Sequence, residues 1–399
     1  MEQLFERKNQ LVRLTSLNFV RDIMDDINWS AQLICIRGAR GVGKTTLMLQ
    51  YIKKNYTVMS REVLFVSLDT MYFTTNSLLD LAREFYKSGG KHLFIDEVHK
   101  YPTWSKEVKE IYDLYPDMRV VISGSSLLNI LGGDADLSRR CVPYDIQGFS
   151  FREYLAFYHK IVLPKCTLSQ LLAAPEDICS AVLDQCHPLP LFKDYLKFGY
   201  FPFFNKNKEN YYTLVEQVLS YVVEMELPQV FNVEVAMTRK IKALLAVISA
   251  SKPYEVDASK LSSVIGVHRT TVVNYLYMLQ KASIINMLFQ EAKSIKKLQK
   301  PDKIYIENTN LLYAIATDAV EIGTLRETFC VNQLSFTHQV EYRKQKGDFL
   351  VDGDITIEVG GQAKGFEQIA GVDHSFIFAD DIEMPYGRKL PLWLAGFTY

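Results

Sequence analysis

The stretch GARGVGKTT, Gly38 to Thr46, constrains the fold of this chain more than any other part of it. It follows the apolar run LICI, Leu33 to Ile36, which reads as a strand buried on both faces. It precedes KTTLMLQYIKK, whose Leu47, Met48 and Tyr51 fall on one side of a helix. A turn that merely joins a strand to a helix has no use for so much backbone freedom in front of a lysine. A turn that wraps phosphates needs it. Gly38 and Gly43 let N–H groups turn inward, and the helix N-terminus adds partial positive charge. Strand, G-x-x-x-x-G-K-T and helix together define a phosphate-binding loop. The expected cradle is Gly38, Ala39, Arg40, Gly41, Val42, Gly43, Lys44, Thr45 and Thr46. Lys44 is expected on the β- and γ-phosphates of ATP, and the Thr45 hydroxyl on Mg2+.

Three further apolar runs, VLFVSL (Val63 to Leu68), LFI (Leu93 to Ile95) and VVI (Val120 to Ile122), end in polar residues. The C-terminal ends of buried strands are where such a sheet presents ligand-facing groups. The second run ends in DEVHK, and adjacent acids there are costly unless a cation is near. Asp96 is therefore expected to hold the Mg2+, and Glu97 to orient or deprotonate the attacking water. The third run ends in SGSS. Ser123 reads equally well as a group beside the γ-phosphate or as part of a loop-forming Ser/Gly cluster. In LSRRCVPYDI, Arg139 and Arg140 precede a fifth strand. An arginine there either faces a γ-phosphate or is ordinary surface charge.

A chain of 399 residues predicts two to four domains. With 48% hydrophobic and 12% aromatic residues it can fill several cores, which argues against a disordered protein. The net charge of −1 decides nothing about nucleic acid, but its distribution is informative. Ser251 to Lys300 carries eight Lys/Arg against three Asp/Glu, whereas Pro301 to Tyr399 carries eight against fifteen. A basic segment before an acidic one suggests two modules with different surfaces. The six cysteines (Cys35, Cys141, Cys166, Cys179, Cys186, Cys330) form no C-x-x-C pair, which argues against a zinc ribbon. The opening MEQLFERKNQLVRL mixes charges and has no apolar signal core. No apolar run approaches the roughly 18 residues of a membrane span. The expectation is a cytoplasmic protein with no membrane contact.

Phe151 to Asn232 has helical spacing, clustered Tyr and Phe, and no catalytic pattern; it reads as a helical connector or lid with an aromatic core. DASKLSSVIGVHRTTVVNYLYMLQKASIINML, Asp257 to Leu288, reads as helix-turn-helix. Asp257 caps the first helix, Leu261, Val264 and Ile265 face inward, and Gly266 makes the turn. Val272, Leu276 and Leu279 are buried on the second helix, and SIINML and KIYIE form strands of a wing. In a double-stranded DNA binder the first turn of the second helix, here His268, Arg269, Thr270 and Thr271, enters the major groove. Lys293, Lys296, Lys297 and Lys300 then face phosphates. A winged helix that contacts a protein partner reads equally well. Further on, KGDFLVDGDITIEVGGQAKG places Asp348 and Glu358 on alternating strands, spaced as in restriction-endonuclease-like domains.

The stretches IRGARGVGKTTLML, LFIDEVHKYPTW, VVISGSSLLNI, SRRCVPYDIQGFSFREYL and YLKFGYFPFF together resemble a family of bacterial and archaeal AAA-like ATPases. Its members join a P-loop domain to a C-terminal region of unknown function. The resemblance implies that the P-loop strand lies beside the DE-bearing or the sensor strand. It implies that Ser123 is the sensor and Arg140 the arginine facing phosphate. In GYFP, Tyr200 stands where members often have a second glycine. For the C-terminal region it implies a restriction-endonuclease-like fold with Glu327 as an additional acid. The lysine such a site carries two residues after Glu358 is Gly360 here; Lys364, beyond a Gly-Gly loop, either substitutes by folding back or is poorly placed, and poor or no cleavage is expected.

The resulting expectation is an α/β chain of four parts. Residues 1–155 form an AAA-like P-loop ATPase domain with a parallel sheet, and 156–235 a helical connector. Residues 236–306 form a winged helix, and 307–399 a degenerate restriction-endonuclease-like domain. Mg2+-dependent ATP hydrolysis is coupled to the C-terminal region, in a chain capable of forming an oligomer. A nucleotide-gated DNA-binding regulator with little turnover and an ATP-regulated nuclease are the alternatives.

Overall fold

Short aliphatic runs separated by amphipathic helices dictate a parallel sheet, because each strand must return to the same edge before the next begins. The computed structural model describes residues 1–127, 137, 139–203, 209–250, 254–255, 257–290, 300–316 and 320–399. Its contacts divide into two units, Met1–Gly148 and Phe149–Tyr399.

The first unit begins with helix α1 (Glu2–Leu14), followed by β1 (Leu33–Arg37), α2 (Lys44–Asn55) and β2 (Val63–Ser67). Helix α3 (Leu78–Lys87), β3 (His92–Asp96), α4 (Trp104–Leu114), β4 (Arg119–Gly124) and β5 (Val142–Asp145) complete it. The strands form one sheet in the order β2-β3-β4-β1-β5, every pair parallel. The P-loop strand β1 thus lies beside β4, which carries Ser123, rather than beside the DE-bearing strand β3. Leu33, Leu64, Leu93 and Val120 are buried together from neighbouring strands, with Leu81 and Phe85 of α3 and Val108 and Ile111 of α4 against them. Each such burial contributes about 1.5–3 kcal/mol, and the strand order fixes which loop ends meet at the C-terminal edge of the sheet.

The second unit opens with helices. These are α5 (Leu168–Ala173), α6 (Pro175–Leu183), α7 (Pro188–Phe198), α8 (Tyr211–Tyr221) and α9 (Val235–Ser249). Their aromatics are core: Phe192, Tyr195, Tyr200, Phe201 and Tyr211 are all buried. Next come β6 (Tyr254–Glu255), α10 (Ala258–Ile265), α11 (Arg269–Lys281), β7 (Ile285–Leu288) and β8 (Lys303–Ile306). Asp257 accepts from the Ser259 and Lys260 amides, and Gly266 ends α10 at φ 63°, a left-handed turn that favours glycine. Val264 is a correction: it is 58% exposed, while Ala258, Leu261 and Ile265 are buried. These three lie at i, i+3 and i+7 on one face, and i+6 falls off it. The three strands pair antiparallel in the order β6-β8-β7.

Helices α12 (Thr309–Ile315) and α13 (Ile322–Leu334) lead to β9 (Val340–Tyr342), β10 (Phe349–Val351), β11 (Ile355–Gly360), β12 (Ser375–Ala379) and β13 (Lys389–Pro391). They form a mixed sheet, β13-β12-β11-β10-β9, antiparallel at its β9 and β10 end and parallel at the other. The Tyr342 amide donates to the Phe289 carbonyl at 3.0 Å, so the segment after β7 runs beside β9. No helix among the described residues is long and apolar enough to cross a membrane.

Candidate functional site

The loop between β1 and α2 cannot be built from ordinary residues. A Cβ at Gly38 would lie 2.2 Å from the Ile146 carbonyl oxygen, and Gly43 sits at φ 102° where the helix begins. Both facts demand glycine and leave the first amides of α2 without intrahelical partners. Lys44 Nζ donates to the carbonyls of Gly38 and Ala39, both at 2.9 Å, so the ammonium lies over the loop.

Beside it the ends of β3 and β4 converge. Thr45 Oγ1 donates to Asp96 Oδ2 at 2.7 Å, and Ser123 Oγ donates to Asp96 Oδ1. The Glu97 amide donates to Ser123 Oγ at 3.3 Å. Glu97 has φ 53°, a left-handed conformation that costs a non-glycine residue about 1–3 kcal/mol and is common at functional sites. His99 Nε2 lies 3.3 Å from Glu97 Oε2. Burial pushes the His99 imidazole down to about 3, helped by the cations Lys100, Lys44 and Arg40, with Asp69 opposing. His99 is therefore neutral at ordinary pH.

Lys44, Thr45, Asp96, Glu97 and Ser123 thus share one corner of the sheet. The hydroxyl of Thr45 and the carboxylate of Asp96 are hard oxygen ligands of the kind Mg2+ takes, and they already touch. Thr46 is exposed, and Ala39 and Arg40 are half-buried. Val42 is fully buried.

Arg140 lies elsewhere. It pairs with Asp113 near the end of α4, Nε to Oδ1 at 3.0 Å, and its guanidinium lies 5.8 Å from the Tyr112 ring. It precedes β5, whose Val142 pairs with Ile34 near the start of β1, whereas the phosphate loop leaves β1 at its far end. Arg140 is thus at the opposite edge of the sheet from its own phosphate loop. Arg139 is exposed.

Two functional contacts escaped the sequence. Arg37 grips Asp145 with Nε to Oδ1 at 2.9 Å and Nη2 to Oδ2 at 2.6 Å, fastening β5 to the strand that feeds the loop. Arg21, in a stretch without a motif, donates to Val42 O at 3.4 Å inside the loop itself. Neither belongs to a spacing pattern; only the fold brings them in.

In the second unit His268, Arg269 and Thr270 are exposed at the start of α11, and Thr271 is half-exposed. Lys293, Lys296 and Lys297 lie outside the described residues. Three acids of the C-terminal region lie near enough to influence one another. Glu327 Oε2 accepts from Tyr305 Oη at 2.6 Å and pairs with Lys303 Nζ at 3.2 Å. Asp348 Oδ2 accepts from the Val359 amide at 2.8 Å. Burial pushes the carboxyls of Glu327, Asp348 and Glu358 up, and Asp348 raises both of the others. Among the described residues no three His, Cys, Asp or Glu side chains converge as a metal-binding group.

Lys364 is placed by the absence of a side chain. A Cβ at Gly360 would lie 2.7 Å from its Cγ and 2.8 Å from its Cβ, so its stem lies against that glycine. Its Nζ pairs with Glu358 and donates to Gln368. The Lys364 amide closes the turn on the Gly361 carbonyl at 3.0 Å. The two glycines fold the chain back rather than carrying the lysine away.

Residues 30–155 match a family model described as an AAA domain, and residues 189–320 one described as a domain of unknown function. An uncharacterized protein of Methanocaldococcus jannaschii is 24% identical over 372 residues, covering 86% of this chain and 78% of its own. Among solved structures, C. elegans PCH-2 overlaps at TM-score 0.25 and 13% identity, covering 40% of this chain and 46% of that one. The S. cerevisiae Hsp104-ADP complex overlaps at 0.27 and 16%, covering 71% and 37%. A structure on katanin self-assembly overlaps at 0.30 and 14%, covering 68% and 90%. The chain spans less than half the length of the first two, and overlaps this small carry no functional argument. With the parallel sheet, the loop and the family match, the first unit is an AAA-like P-loop domain.

Proposed function

We propose that the first unit binds ATP with Mg2+ and hydrolyses it, and that its nucleotide state is passed to the second unit. The observation that carries this is the Asp96 carboxylate held between the hydroxyls of Thr45 and Ser123, with Glu97 next to it. Thr45 and Asp96 would hold the Mg2+, which supplies positive charge to the phosphates. Lys44 binds and neutralises the β- and γ-phosphates. Glu97 takes the proton of the attacking water, and neutral His99 beside it adds no competing charge. Ser123 links Asp96 to the Glu97 amide, so the metal-binding acid and the base are positioned together. Steady-state phosphate release by the wild type and Glu97→Gln tests this reading.

Arg140 serves the site of a neighbouring copy. Its place at the far edge of its own sheet supports action between subunits, where an arginine stabilises transition-state charge and is worth roughly 10³–10⁵ in rate. This requires an oligomer. The exposed first turn of α11 supports DNA contact through His268, Arg269, Thr270 and Thr271, with Lys296 and Lys297 on phosphates. A protein partner for that helix, or a nucleotide-gated regulator with little turnover, is distinguished by measuring phosphate release with and without duplex DNA.

A second reading, an ATP-regulated nuclease, is favoured by Lys364 lying against Gly360 beside Glu358. Asp348 and Glu358 would hold a divalent ion, with Glu327 flanking them. Lys364 would supply the charge that steadies an attacked phosphate.

A further inference from the structure

Arg21 is a buried cation in a segment that carries no motif, and it is 9% exposed. Three main-chain carbonyls are among its acceptors. Nη1 donates to Val42 O at 3.4 Å and to Gln147 O at 2.6 Å, and Nη2 donates to Gly148 O at 3.1 Å. Val42 lies inside the phosphate loop. Gln147 and Gly148 follow β5 and close the first unit. One guanidinium, which stays protonated at any working pH, therefore joins the loop to the segment by which the chain leaves the domain.

The Val42 carbonyl and the Gly43 amide belong to one peptide, and in a trans peptide they point in opposite directions. Fixing that carbonyl fixes where the Gly43 N–H points. This anchoring matters because glycines flank the position on both sides, Gly41 at φ 88° and Gly43 at φ 102°. Such a peptide rotates more freely than any with side chains around it. A flipped peptide would aim an oxygen, instead of a donor, at the phosphates. The exit segment touches the loop at a second place. The Ile146 amide donates to the Arg37 carbonyl at 2.7 Å, and Ile146 O is the atom that excludes a Cβ from Gly38.

We infer that Arg21 is a positioning residue for the phosphate loop: it holds the Val42–Gly43 peptide with its N–H toward the phosphates and ties it to Gln147 and Gly148. Phosphate occupancy is thereby felt at the end of the first unit. The inference rests on the nucleotide reading of the loop.

The test compares wild type, Arg21→Ala, Arg21→Lys and Lys44→Ala. It measures fluorescent ADP binding, the KM and kcat of phosphate release, and hydrogen exchange at Gly43 and residues 146–148 in nucleotide-free protein. Loss of charge-assisted hydrogen bonds predicts that Arg21→Ala weakens ADP binding and raises KM about 10–100-fold. Its kcat at saturation should stay near wild type. Arg21→Lys falls between, because an ammonium lacks the planar fork. Exchange at the probed amides quickens in Arg21→Ala and stays at the wild-type rate in Lys44→Ala. Wild-type ADP affinity in Arg21→Ala, or a kcat loss at unchanged KM, overturns the inference. Should Arg21→Ala fail to fold, the same comparison in Arg21→Lys decides. Should the wild type bind no nucleotide, the reading of the loop fails, and unchanged exchange in the Arg21 variants then overturns the clamp separately.

Discussion

Thr45 Oγ1 donates to Asp96 Oδ2 at 2.7 Å, joining the first turn of the phosphate-loop helix to the end of the third strand. Two groups proposed to hold one hard cation are thus already in contact. Asp96→Asn keeps the shape and removes the charge, so Mg2+ should no longer tighten nucleotide binding, and hydrolysis should fall at least about 100-fold. ADP titrations with and without Mg2+ check this. An undiminished Mg2+ effect in the variant would place the ion elsewhere.

Arg140→Ala should bind ATP almost normally and lose about 10³-fold in rate, with Arg139→Ala much milder. If Arg140 acts across subunits, as proposed, mixing matters. Arg140→Ala and Glu97→Gln should each be nearly inactive alone. Together they should regain activity, since one supplies the arginine and the other the base. Mixtures that stay inactive while mixed oligomers form would remove Arg140 from the site.

How much of this was legible in the sequence follows from what each group binds. A phosphate loop uses main-chain amides, so it demands glycines and a lysine at fixed spacing, and Gly38 to Thr46 could be read directly. Asp96 was readable for a similar reason, as an acid at the end of a buried strand. Arg21 was not, because the carbonyls it holds leave no mark on residue type and lie up to 127 positions away. The edge of the sheet that holds Arg140 follows from β5 pairing parallel with β1, which local pattern does not encode. Whether Lys364 folds back stayed open in the sequence for a steric reason. Gly360 looked like a lost lysine, whereas its missing side chain is the space into which the Lys364 stem packs. Val264 shows the limit of reading apolar residues as buried when they fall off the helix phase.

Glu307 gives a pH prediction. It accepts from Tyr200 at 2.9 Å, Asn332 at 2.8 Å and Asn308 at 2.6 Å. Burial pushes its carboxyl from 4.5 up to about 7, against those donors. The folded chain therefore binds this proton more tightly than the unfolded chain. The stability it gives is fully present below about pH 4.5 and is lost as pH rises through about 7. The loss amounts to roughly 3 kcal/mol. Glu307→Gln should flatten this part of the profile, read as the difference between its unfolding and that of the wild type at pH 5 and pH 8. Parallel profiles would count against it.

The nuclease reading predicts slow nicking of plasmid in Mg2+ or Mn2+. It should be lost in Glu358→Ala and reduced about 10²–10³-fold in Lys364→Ala, the usual cost of removing a preorganised charge from a transition state. Nicking that survives both substitutions, or no nicking at all, would leave the acid cluster a structural remnant.

The central claim is that Glu97 is the base of a working ATPase, and phosphate release by Glu97→Gln tests it most directly. The measurement pairs turnover with ATP binding, in the absence and presence of duplex DNA. The account predicts that Glu97→Gln binds ATP as the wild type does and loses turnover by at least about 100-fold, as removal of a general base requires. A variant that hydrolyses ATP at the wild-type rate would contradict it.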